Sequence, residues 1–85
     1  MKNWKFINNS LQKKFEFNDF ETAIIFIQLA SVEISKINHH PEWKNIYNTV
    51  EVKLCTHDAN NIVTKKDEDL ASILDEVFER ITTKN

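Results

Sequence analysis

The chain has 85 residues, 41% of them hydrophobic, with 11 basic against 13 acidic side chains and a net charge of −2. That apolar content argues against disorder, and the mixed charge offers no basic face for a nucleic-acid backbone or an anionic membrane surface. Cys55 is the only cysteine and there is no glycine, which excludes an internal disulfide, a cysteine-based zinc knuckle and any glycine-rich phosphate loop.

The length predicts a single domain, residues 1–85. A domain this small buries only ~60% of its unfolded surface, so self-association would add stability. Residues 1–10 carry neither an apolar signal core nor a spanning segment, which predicts a soluble, cytoplasmic protein. Without glycine, left-handed turn positions must fall to Asn or Asp.

In chain order, residues 4–9 alternate Trp4 and Phe6 with Lys5 and Ile7, the pattern of a short strand. The alternation of residues 13–17 predicts its hairpin partner, with the turn near Asn8, Asn9 and Ser10. Asn18 followed by Glu21 fits a capping box and starts a helix from about Asp19 to Ile37. Phe20, Ala23, Ile24, Ile27, Ala30, Ile34 and Ile37 recur at helical spacing and are expected to face the sheet. Ile25, Leu29 and Val32 form a second stripe, to be covered by another subunit or by the C-terminal helix.

Pro41 stops anything helical and biases His40 toward extended backbone. From Tyr47 the period becomes two, with Val50, Val52 and Leu54 on one side and Thr49, Glu51 and Lys53 on the other, a half-buried antiparallel strand. Residues 58–61 read as a turn with Asn61 left-handed, and Ile62-Val63 as a brief final pairing. Thr64, with Asp67 at the capping-box position, starts a second helix. Its apolar face is Leu70, Ile73, Leu74, Val77, Phe78 and Ile81. The order is β-β-α-β-(β)-α, an α+β fold with helices on one face of an antiparallel sheet.

All three histidines lie where the pattern switches, His39 and His40 before Pro41 and His57 just past the strand. The plain alternative is three surface imidazoles with no joint task. A zinc site fits poorly, because adjacent residues on extended backbone point to opposite sides. Cys55 and His57, two apart, would share a strand face, but nothing marks an oxyanion hole, and a strand cysteine reads more simply as a small core residue. General acid–base chemistry on a small substrate suits residues that exchange protons near neutrality. Trp43 is either a flat wall for a ring or ordinary core. Asp67 is a helix cap that would also support catalysis if it reached His57.

The run His39-His40-Pro41-Glu42-Trp43, followed by Tyr47-Asn48, Val50, Val52, Leu54, Thr56-His57, Thr64, Asp67, Leu70 and Ala71, resembles the pterin-4a-carbinolamine dehydratase family. Trp4 and the stretch Phe15 to Phe20 add to the likeness, which covers nearly the whole chain. The resemblance implies a four-stranded antiparallel sheet with helices on one side, assembled as a homodimer or homotetramer. It implies dehydration of a 4a-hydroxytetrahydropterin to the quinonoid dihydropterin, in recycling of the pterin after aromatic amino acid hydroxylation, with no cofactor and no metal. It makes His39 and His57 the acid candidates on opposite faces of the ring, with His40 orienting the pterin. Around the substrate it places Asn38, His39, His40, Pro41, Trp43, Cys55, Thr56, His57 and Asp58, with Asp67 in support. Animal members of the family also act as dimerisation cofactors of a homeodomain transcription factor, which implies a non-catalytic alternative: a pterin-binding or coactivator protein. Direct contact with nucleic acid or membrane is not implied. The chain departs from the family pattern at Ser35 and Asn38, where carboxylates are usual, and at Asn61, where glycine is usual.

Overall fold

A computed structural model describes residues 3–57, 60 and 62–82. The elements are β1 (Lys5–Ile7), β2 (Ser10–Glu16), α1 (Phe20–Ile37), β3 (Glu42–Ile46), β4 (Thr49–Leu54) and α2 (Lys65–Thr82). The four strands form one antiparallel sheet in the order β1-β2-β4-β3. The expected α+β class and element order hold, but the fourth strand does not lie at Ile62-Val63. There the chain makes only an isolated bridge, Thr56 to Ile62. The additional strand is β3, whose residues Trp43 and Asn45 pair with Val52 and Val50.

Register places Leu11, Phe15, Val50, Val52 and Leu54 on one sheet face, and these residues are buried. Both helices pack on that face. Ala23, Phe26, Ala30 and Ile34 from α1 meet Leu70, Ala71, Leu74 and Val77 from α2 in a single core. Phe15 is its centre, with ring centroids 4.8 Å from Phe26, 5.2 Å from Phe78 and 5.9 Å from Trp4. Phe26, absent from the expected core stripe, is fully buried, whereas Phe20 and Ile37 at the helix ends are exposed. The stripe Ile25, Leu29 and Val32 is exposed too, so α2 does not cover it.

The helix starts differ from the capping boxes expected. Asp19, not Asn18, caps α1, its carboxylate accepting from the Thr22 N–H at 2.8 Å. At α2 the Thr64 N–H donates to Asp67 Oδ2 at 2.9 Å, which is half of the expected box; the Thr64 hydroxyl is used elsewhere.

Asparagine does take the left-handed positions. Asn3, Asn8, Asn9, Asn38 and Asn60 have positive φ, joined by one bulky residue, Tyr47 at 51°. Positive φ at both Asn8 and Asn9 suits the two-residue hairpin between Ile7 and Ser10. Asn61, the residue expected to be left-handed, lies outside the described residues. Tyr47 is held by its neighbours. Asn45 Nδ2 donates to the Tyr47 and Thr49 carbonyls, and Asn48 exchanges two hydrogen bonds with the Phe17 backbone.

Candidate active site

Helix α1 ends because Asn38 turns left-handed (φ 53, ψ 42) and returns its N–H to the Ile34 carbonyl at 2.9 Å. The chain then runs through His39, His40 and Pro41 into β3. On the neighbouring strand, β4 stops at Leu54, and Cys55, Thr56 and His57 follow before α2 begins at Lys65. The end of α1, the end of β4 and the start of α2 therefore converge. A cavity of about 210 Å³ opens there, lined by Asn38, His39, His40, Thr56, His57 and Lys66.

All three histidines thus reach one cavity, though His39 and His57 are 18 residues apart in the chain (57 − 39). Pro41, Trp43 and Cys55 do not line it. Trp43 packs against the core and borders a different surface cavity with Gln12 and Glu42. Cys55 is half-buried and lies beyond the end of β4, so the strand alternation that would put it on the His57 side does not extend that far. Asp58 lies outside the described residues. Lys66, a single lysine near the start of α2 with no motif around it, joins the lining without a signal in the sequence.

Behind the lining sits Asp67, the third residue of α2, with no exposed surface. Its Oδ1 lies 2.6 Å from His39 Nε2. Its Oδ2 accepts from the Thr56 hydroxyl at 2.7 Å and from the Thr64 N–H at 2.9 Å. The Thr56 and Thr64 hydroxyls are 2.7 Å apart. Because Thr56 gives its proton to the carboxylate, the Thr64 hydroxyl must donate to Thr56, and the network runs one way, toward Asp67. The carboxylate expected to support His57 holds His39.

Burial pushes the Asp67 carboxyl upward in pKa, but the hydrogen bonds from His39, Thr64 and Thr56, together with the charge of His39, outweigh it. The group ends below its ordinary value of 3.8 and is ionised at neutral pH. An ionised carboxylate only accepts, so His39 Nε2 carries a hydrogen toward it. Only Nδ1 of His39 is then left to exchange a proton with a ligand. The imidazole is half-buried, with 14% of its side chain exposed, while His40 and His57 are exposed. Among the described residues, no three His, Cys, Asp or Glu side chains are grouped to hold a metal ion. No described helix is long and apolar enough to cross a membrane.

The comparisons with known proteins agree with one another. Residues 1–77 match the family described as pterin 4 alpha carbinolamine dehydratase. A protein of Prochlorococcus marinus (strain MIT 9515), provisionally named a pterin-4-alpha-carbinolamine dehydratase, is 42% identical over 77 residues, 91% of this chain and 79% of the relative. One of the same provisional name from Opitutus terrae is 44% identical over 71 residues, 84% of this chain and 73% of the relative. The crystal structure of a Brucella melitensis protein described as a transcriptional coactivator/pterin dehydratase superposes with a TM-score of 0.86 at 35% identity, covering 91% of this chain and 83% of that one. The chain belongs to the pterin 4 alpha carbinolamine dehydratase family.

Proposed function

We propose that the chain is a hydro-lyase that converts a 4a-hydroxytetrahydropterin to the quinonoid dihydropterin and water, by histidine acid–base chemistry. The observation that carries this reading is the meeting of all three histidines at one cavity, with one of them fixed on a buried, ionised carboxylate. Hydroxide is a poor leaving group. An imidazolium therefore protonates the 4a oxygen as the C4a–O bond breaks, and the N5 lone pair forms the C4a=N5 bond. Loss of one ring N–H proton to an imidazole completes the quinonoid, so the proton lent is returned and only water leaves. No electrons are transferred to or from the substrate.

In this reading His39 and His57 are the proton donors for the two faces of the ring, and His40 binds and orients the pterin. Asp67 is a positioning residue: it holds the His39 ring by Nε2 and leaves Nδ1 facing the ligand. Asn38, Thr56 and Lys66 contribute the remaining described lining of the cavity; for Pro41, Trp43, Cys55 and Asp58 a role in binding the pterin rests on the family resemblance alone. The place of the reaction is recycling of the pterin after aromatic hydroxylation, in the cytoplasm. The exposed stripe Ile25, Leu29 and Val32 favours assembly of copies through α1, as a homodimer or homotetramer. The same stripe, and the Brucella protein's description as a coactivator, favour a second reading: a pterin-binding or transcriptional coactivator protein that uses α1 and no proton transfer.

One assay separates the two. The 4a-carbinolamine is generated in solution and quinonoid formation is followed with wild type, His39→Ala, His40→Ala and His57→Ala. The hydro-lyase reading requires acceleration over the spontaneous rate, and loss of at least about 10²-fold when an acid histidine is removed. A wild-type rate equal to the spontaneous one eliminates it and leaves the binding role.

A further inference from the structure

Among the described residues, Lys66 is the one that brings a permanent charge to the lining of the histidine cavity. It is exposed, and its ammonium makes no hydrogen bond or ion pair with another described residue, whereas its neighbour Lys65 is paired with Asp69 at 3.0 Å. Its position runs against local preference. Lys66 is the second residue of α2, where the helix dipole and the free N–H groups repel a cation. An unpartnered cation at that end of a helix is a departure from local rules of the kind that collects at functional sites.

The cavity is small. At about 210 Å³ it falls below the ~300–1,000 Å³ of sites that enclose a whole drug-sized ligand. A bicyclic ring can enter, but a substituent on it must emerge at the rim, within the sweep of a long exposed side chain. Among the described residues no carboxylate lines that rim; the Asp67 carboxylate lies behind it, occupied by His39, Thr56 and Thr64. Among the described residues, the groups a protruding substituent would meet are imidazoles, the Asn38 amide, the Thr56 hydroxyl and one ammonium.

We propose that Lys66 is a specificity-determining residue whose ammonium engages an acidic oxygen, of a carboxylate or a phosphate, on the ring substituent left outside the cavity. The proposal rests on the dehydratase reading for the identity of the ring. It predicts that pterins with an anionic substituent bind more tightly than neutral ones, and that the preference weakens with salt because the contact is exposed.

The test uses stable oxidised pterins: 6-methylpterin, 6-carboxypterin and the phosphate ester of 6-hydroxymethylpterin. Each is titrated by fluorescence against wild type, Lys66→Met and Lys66→Arg, at low and high salt. Wild type is expected to favour one or both anionic pterins by about 2- to 5-fold at low salt, the range of an exposed ion pair. Lys66→Met should abolish the preference, Lys66→Arg should retain it, and high salt should erode it. The carboxylate and phosphate arms tell which acid is preferred. Equal binding of all three by wild type, or a preference that survives in Lys66→Met, overturns the proposal while leaving the dehydratase reading standing. Failure of wild type to bind any of the three overturns both.

Discussion

Helix α2 carries two carboxylates that anchor distant parts of the chain, and they do different work. Asp75 accepts from Trp4 Nε1 through both oxygens, at 3.1 and 3.0 Å, and from Lys13 Nζ at 2.7 Å. Lys13 lies on the helix-facing side of β2, its ammonium 4.7 Å from the centre of the Phe15 ring and 5.7 Å from that of Trp4. The pair fastens the N-terminal hairpin to α2. Asp67, two turns earlier, accepts from His39, Thr56 and Thr64. Both are charge-assisted networks, but the donors differ. An indole and a lysine ammonium keep their protons at any ordinary pH; an imidazole does not. With the same acceptor on the same helix, the chemistry of the donors separates a clamp from the proposed acid–base site.

Asp67→Asn is expected to have the largest effect, a fall of about 10²-fold in the rate of quinonoid formation, because the amide no longer holds His39 Nε2–H as an anion does. It should also lower stability by about 1–3 kcal/mol through partners left unsatisfied in the core, read by denaturant unfolding. Asp75→Ala should do the reverse. Removing the acceptor shared by the Trp4 indole and the Lys13 ammonium is expected to cost about 1–2 kcal/mol, less than for a fully buried pair because Asp75 is partly exposed, with the turnover rate changed less than about twofold. If Asp75→Ala lost turnover without losing stability, the division between clamp and site would be wrong.

A smaller effect sharpens the same contrast by pH. The Asp67 carboxyl titrates below 3.8 in the folded chain. Between that lowered value and the unfolded one, the unfolded chain binds more protons, so stability rises with pH across that window. The contribution is complete above about 4 and is lost as pH falls through the folded value. Urea unfolding between pH 7 and pH 2.5 should therefore show a wild-type advantage over Asp67→Asn that shrinks at the acid end. A constant difference across the range would mean that Asp67 ionises alike in both states. The smallest expected effect lies outside both networks. Tyr47, exposed and left-handed, should be replaceable by glycine with a gain of up to about 1 kcal/mol, seen as a shifted urea midpoint at unchanged slope.

Much of this was legible in the sequence, for reasons tied to particular residues. The alternation Val50, Val52, Leu54 marks β4 because one face is wholly buried. β3 was hidden because it is an edge strand. In Glu42 to Ile46 only Trp43 packs on the core, and Ile46 is exposed, so no clear period survives behind Pro41. Phe26 was missed because residues 24–27 are apolar without a break, which leaves the helical phase undetermined. At the candidate site the histidine doublet stood out by composition. Its carboxylate partner could not be read, because the His39–Asp67 contact joins positions 28 apart and exists only once α2 docks. Reading Thr64 and Asp67 as a capping box found the right residue for half of its work. The departures at Ser35 and Asn38 also look different in three dimensions. Ser35 is exposed, Asn38 keeps the left-handed turn that ends α1, and the anion beside His39 comes from α2 instead.

The turns of this glycine-free chain carry a further consequence, which lies in the unfolded state. Each left-handed residue that is Asn in place of glycine has fewer backbone conformations to lose on folding. Local strain in the native turns is thereby offset by a smaller entropy of the denatured ensemble. For a chain of 85 residues with limited surface to bury, economy in disorder is a source of stability that no contact in the folded structure displays.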